Sequence, residues 1–143
     1  MNRRRQLKYM TVSEGQRRTF TITLGLSEGY GDNSITHHPS TADKVVSTWM
    51  QARSEESLLT IGGFFSEIKL HYTYHEGDKP QARHEPGLRF SGEVSIRRLS
   101  AVSDAEIEEA LINLADALGA ALGQKHVTVT YRERVWIREF HAG

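Results

Sequence analysis

Six stretches of this chain carry a readable hydrophobic period, and their order leaves few folds open. Four alternate apolar and polar residues at every second position, as half-buried strands do, and two repeat at helical spacing. The strictest alternation comes first, with Phe20, Ile22, Leu24 and Leu26 on one side and Thr19, Thr21 and Thr23 on the other. Residues 27–39 then interrupt regular structure with Gly29, Gly31, Asp32 and Asn33. Ser40 or Thr41 can cap a first helix, Asp43 follows Ser40 at capping-box spacing, and Val45, Val46, Trp49 and Met50 make its apolar stripe. Gly62 and Gly63 mark a bend or bulge that can split the next strand.

The second alternation runs to His75. It groups Phe64, Ile68, Leu70, Tyr72 and Tyr74 on an inward face, with Glu67, Lys69, His71, Thr73 and His75 outward. Residues 76–87 are polar and hold Pro80 and Pro86, which predicts a long hairpin loop. The return strand, residues 88–99, turns Leu88, Phe90, Val94 and Ile96 inward and Arg89, Ser91, Glu93, Ser95 and Arg97 outward, and Gly92 leaves room for a bulky neighbour. A second helix is bounded by the capping pair Ser103 and Glu106 and by Gly123, with Ile107, Ala110, Leu111, Leu114, Leu118, Ala121 and Leu122 as its buried stripe. One last strand is expected over residues 126–140. It would face Val127, Val129, Tyr131, Val135 and Ile137 inward and Thr128, Thr130, Arg132, Arg134, Trp136 and Arg138 outward. The order β-α-β-β-α-β is that of the split βαβ, ferredoxin-like α+β fold, an antiparallel sheet with two helices packed on one face.

A chain of 143 residues fits one domain of this kind. Charge divides it: residues 1–18 hold Arg3, Arg4, Arg5, Lys8, Arg17 and Arg18 against Glu14 alone, whereas the whole chain carries 18 basic and 18 acidic residues. The expected organisation is a basic arm over 1–18 and a single domain over 19–143. With no cysteine, disulfides, thiolate nucleophiles and cysteine-based zinc sites are excluded. No stretch has the roughly 20 apolar residues of a membrane span, and the start lacks the apolar run of a secretory signal, so a soluble, cytoplasmic protein without a membrane partner is expected.

The motifs that resemble chemistry weaken on inspection. Gly25-Leu26-Ser27-Glu28-Gly29 matches the G-x-S-x-G nucleophile elbow, but a loop rather than a helix follows it and too little sheet precedes it. Gly29-Tyr30-Gly31 lacks the third glycine and the lysine of a phosphate loop. His71 and His75 would lie about 13 Å apart on a strand, too far for one metal ion. Neither a metal site nor a bound cofactor is therefore expected. The outward residues of the two strands expected at the sheet centre include no aromatic ring on which RNA bases could stack.

What remains is the polar sheet face and the long loop. The loop offers Tyr30, Asp32, His37 and His38, and the strands offer Arg89, Arg132 and Arg134, as candidate ligand-binding residues. Trp136 and Phe140, both expected outward on an edge strand, are candidate interface residues. The sequence carries no family resemblance from which functional residues transfer. Its first reading is a non-catalytic binding or assembly module, homodimeric through the open sheet face or the last strand. The alternative is a small enzyme acting on an anionic metabolite, with His71 or His75 as general acid/base and arginine as anion clamp. A second alternative is nucleic-acid contact through the basic arm.

Overall fold

The computed structural model describes residues 7–29 and 34–141. Its strands are β1 (Thr19–Gly25), β2 (Ser27–Glu28), β3 (Ile35–Thr36), β4 (Phe64–Glu76), β5 (Lys79–Glu93), β6 (His126–Tyr131) and β7 (Arg134–Glu139), and its helices are α1 (Pro39–Glu55) and α2 (Asp104–Ala121). Five strands form one antiparallel sheet in the order β4-β5-β1-β6-β7, and β2 and β3 pair separately. The two helices cover one face, so the chain has the expected ferredoxin-like α+β fold, with β7 added at one edge. No helix of the described residues is long and apolar enough to cross a membrane.

The alternation in β1 is realised as predicted: Phe20, Ile22 and Leu24 are buried, and the threonines lie between them on the open face. Pairing Phe20 with Gly92 puts its ring where a side chain on β5 would stand, since a Cβ on Gly92 would lie 3.1 Å from that ring. Helix α2 is capped by Ser103, whose hydroxyl accepts from the Glu106 amide at 3.2 Å, and it buries Ile107, Leu111, Leu114 and Leu118. Helix α1 begins at least two residues earlier than its sequence signals. His38 is the N-cap, its Nδ1 accepting from the Ser40 amide, and Pro39 takes the first turn, where a missing N–H costs nothing.

Arg53 closes the seam between the helices. Its guanidinium donates to the Leu59 carbonyl at 2.7 Å and to Glu109 of α2 at 3.0 Å, and it lies over the Trp49 ring, whose indole N–H donates to Asn113. Arg18 is likewise buried. It donates to the Val102 and Leu99 carbonyls, while Arg17 pairs with Glu93. Two arginines of the expected basic arm thus serve the fold, and Arg3, Arg4 and Arg5 lie outside the described residues.

Three local expectations are corrected. Residues 76–87 do not form a loop: β4 and β5 pair without interruption from Phe64↔Ser91 to Glu76↔Lys79, and a two-residue turn at Gly77 and Asp78 closes the hairpin with Gly77 at φ +63°. The prolines fit because the Pro86 carbonyl accepts from the Leu26 amide on the side away from β4, so the missing N–H of Pro86, and of Pro80 six residues earlier, points away from the ladder. The facing of β4 is also reversed. Phe65 pairs with Phe90 and packs on the core at a ring distance of 4.9 Å, which turns Phe64, Ile68, Leu70, Tyr72 and Tyr74 to the open face. The sequence Phe64-Phe65 offers an apolar residue in either register, and contact with Phe90 selects the second.

The third correction concerns the last strand, which folds into a hairpin at Arg132 and Glu133. Folding back keeps Val129 opposite Trp136 on the core side, so Trp136 packs against the core and is not the exposed indole expected. Val135 and Ile137 instead lie on the open face, 62% and 67% exposed. Gly62 and Gly63 precede β4 rather than splitting it; a Cβ on Gly63 would stand 2.4 Å from the Ser91 carbonyl, which is why glycine fits where the chain joins the sheet.

Candidate functional site

Beyond Gly25 the sheet narrows to the β4–β5 ribbon, and the groups with free bonding capacity collect at that step. Gly25 and Gly87 are direct neighbours across the ladder, both buried, and leave the open face without side chains there. Leu70 covers Gly87. Over Gly25 stand two oxygens: a Cβ added there would lie 2.8 Å from Gln124 Oε1 and 3.0 Å from Glu85 Oε1.

The orientation of Gln124 is fixed. Its amide nitrogen donates to the Ser27 and Leu122 carbonyls, both at 3.0 Å, so its oxygen must face Gly25. Glu85 meets no hydrogen-bond donor or cation among the described residues, and burial raises its pKa above the ordinary carboxylate value. Arg83, two residues earlier on the same face, turns to Gln81 and lies over the Tyr74 ring at 4.9 Å.

A cleft of about 480 Å³ opens beside this pair, lined by Ser27, Gly29, Ser34, Tyr72, Arg83 and Glu85 among others. Its far wall carries Ser27, Gly29 and Ser34. Ser27 pairs with Thr36, and the His37 amide donates to the Leu26 carbonyl, which ties the returning chain to the end of β1. Glu28 lies against Gly123 and faces His37, with His37 Nε2 3.2 Å from Glu28 Oε2 but off the direction of a hydrogen bond.

The sequence candidates divide among several places. His37 faces Glu28 just after β3 and His38 caps α1, while Tyr30 and Asp32 lie outside the described residues. His71 is exposed on the other side of the ribbon, where its ring meets that of His84, a residue of the cleft rim, at 5.5 Å. His75 is exposed near the ribbon tip, opposite Pro80. Arg89 lies on the open face between Ser66 and Thr23. No cluster of three or more potential metal ligands occurs among the described residues.

Arg132 and Arg134 sit at the opposite end of β1, about 20 Å away at roughly 3.3 Å per residue. They line a second cleft of about 800 Å³ with Arg17, Asp104, Glu108 and Tyr131. Every arginine there has an acidic partner: Arg134 meets Glu108 at 2.7 Å, Arg132 meets Asp104 at 3.5 Å and Arg17 meets Glu93. The Tyr131 hydroxyl donates to Asp104 at 2.5 Å; burial, then that carboxylate, raises its pKa. This end is internally compensated, and the Gly25 end is not. Phe140 is exposed beside Gly119 and Ala120 of α2. Reasoning from sequence missed Glu85 and Gln124, one placed inside an expected loop and the other just past a helix stop.

No protein-family model matches the chain, and no curated protein matches it. Among solved structures, a phage SAM lyase in complex with S-methyl-5′-thioadenosine superposes with a TM-score of 0.59 at 17% identity, over 93% of this chain and 97% of that one. A phage SAM lyase in its apo state gives a TM-score of 0.61 at 16% identity, over 92% and 97%. At these identities the likeness is one of fold. It nonetheless speaks against the first reading of the sequence, a non-catalytic assembly module, because both of these structures, which match over nearly their whole length, are of an enzyme. The homodimer of that reading draws on the open sheet face and on Trp136 and Phe140 of the last strand; of these two residues Trp136 packs against the core and Phe140 is exposed.

Proposed function

We propose that this chain is a lyase acting on S-adenosylmethionine, breaking a carbon–sulfur bond and releasing S-methyl-5′-thioadenosine. The observation that carries this reading is the correspondence over nearly the whole of both chains. It retains the enzyme alternative of the sequence, since the amino-acid arm of such a substrate ends in a carboxylate.

The chemistry asks little of side chains. Sulfur leaves a sulfonium as a neutral thioether, taking the electron pair of the broken bond. The four-carbon arm balances that loss either by closing its own carboxylate onto the γ-carbon or by giving up a β-proton. Both routes proceed without water, and both depend on holding the arm in a reactive conformation, where orientation supplies much of the rate. The cleft beside Gly25 has groups suited to that task. Arg83, which meets no carboxylate among the described residues, takes the substrate carboxylate by a two-pronged contact. Tyr72 offers its ring to the nucleoside, with the loop residues Gly29 and Ser34 opposite. Of the loop candidates among the described residues, His37 stands 3.2 Å from Glu28 and His38 caps α1. His71 acts through His84 at the rim.

The test is incubation of the purified chain with S-adenosylmethionine, followed by chromatography of the nucleosides. S-Methyl-5′-thioadenosine should accumulate as substrate disappears, and Arg83→Met should lower that rate at least tenfold. Unchanged substrate over prolonged incubation would sink the reading.

A further inference from the structure

We propose that Glu85 and Gln124 form a charge-selective subsite over Gly25, which takes the cationic centre of the ligand and separates a sulfonium from the corresponding neutral thioether. The inference rests on the reading of the cleft as a sulfonium-nucleoside site and adds what that reading lacks, the group that recognises the charge.

The geometry is that of two acceptors without a donor. Glu85 Oε1 and Gln124 Oε1 both approach the point where a side chain on residue 25 would begin. Glycine at 25 keeps that point empty, and Gly87 beside it extends the bare floor. Gln124 cannot rotate its amide to offer an N–H, because the nitrogen is committed to two carbonyls. Glu85 has no countercharge among the described residues, and its basic neighbour on the same strand face, Arg83, is turned to Tyr74 and Gln81. Two oxygens aimed at one spot repel each other, and a cation or an N–H donor set between them relieves that repulsion. The partial burial that raises the Glu85 pKa also strengthens its attraction for a cation relative to open water.

A monovalent onium fits better than a metal ion. Two oxygens, one of them an uncharged amide, supply too few ligands for calcium or magnesium, whereas a sulfonium or ammonium needs only a negative field and a surface to lie on. The consequence for turnover is direct. Once the carbon–sulfur bond breaks, the ligand loses the charge that held it, and the neutral thioether is released more readily than the substrate was bound.

The test compares two uncleavable nucleosides by calorimetric titration of the full chain. Sinefungin carries a protonated amine where the sulfonium stands, and S-adenosylhomocysteine is a neutral thioether. The parent protein should bind sinefungin at least tenfold more tightly than S-adenosylhomocysteine. Glu85→Gln, which keeps the shape, should bring the two affinities within threefold by weakening sinefungin alone, and Glu85→Asp should keep part of the preference. A preference that Glu85→Gln leaves intact, or equal weakening of both nucleosides, would overturn the subsite. Binding of neither nucleoside to the parent removes the lyase reading instead. Trimethylsulfonium followed by the Glu85 carboxyl resonance then decides the subsite, a saturable shift supporting it and no shift ending it.

Discussion

Burial lifts the Glu85 carboxyl above its ordinary value of 4.5, and the direction of the resulting pH dependence can be worked out. Below 4.5 the group is protonated in both folded and unfolded chains. Between 4.5 and the raised value the folded chain keeps a proton that the unfolded chain has lost, so stability declines as pH rises through that window and then levels. Glu85→Gln carries no such proton. Its melting temperature should therefore gain on the parent between pH 4.5 and neutrality, and a gap that stays constant with pH would contradict this account. Gly123 is constrained twice, by φ +60° and by Glu28, whose carboxylate occupies the place of a Cβ. Gly123→Ala should cost about 1–3 kcal/mol in denaturant unfolding, and Gly29→Ala, at φ +78° in open space, should cost less. At this scale the sequence was read unevenly. Ser103 and Gly123 announce themselves because caps depend on the nearest few residues. Glu85 and Gln124 do not, because their meeting over Gly25 joins residues 60 and 99 positions distant from it in sequence.

The elements differ in how far tertiary contact decides them. Helix α2 and strand β1 follow their own periods, and the structure reproduces both. The β4–β5 ribbon does not read as strand in its outer part, because Glu76, Gly77, Asp78, Pro80 and Pro86 are turn-forming residues in most settings. Its outer pairs, from Lys69↔Pro86 to Glu76↔Lys79, have each other as ladder partners and no further strand of the sheet. A two-stranded ribbon without further support is marginal in water. Its backbone amides should therefore exchange with deuterium on the order of a hundredfold faster than those of β1, and equal protection would show that the ribbon is supported elsewhere. Bound ligand should slow exchange at residues 72 and 83–85 and leave the tip unchanged. The β6–β7 hairpin was missed for a related reason: Arg132 at φ 53° occupies a turn position that usually holds glycine or asparagine, so no punctuation marks the reversal. One unseen turn then inverts every side chain that follows, which is why Trp136 changed faces.

For the molecule as a whole, the order of the six periodic stretches was enough to define the architecture, since few antiparallel sheets accommodate β-α-β-β-α-β. Function was less legible, because the fold hosts many activities and the decisive groups lie at the step where the broad sheet becomes a ribbon. The two ends of β1 illustrate the division. At Thr19 the charges of Arg17, Arg132 and Arg134 are answered by carboxylates from the same chain. At Gly25 the Glu85 carboxylate meets no donor or cation among the described residues, and the Gln124 amide oxygen stands beside it.

The direction in which Pro80 and Pro86 point has a bearing on solubility. Past Gly87 the outer side of β5 runs free for most of the ribbon, and a bare strand edge is a template on which a second copy can add its own strand and continue into a fibre. Two missing N–H donors, six residues apart, break that template into pieces too short to nucleate such growth. The prolines that hid this strand in the sequence thus also interrupt its free edge.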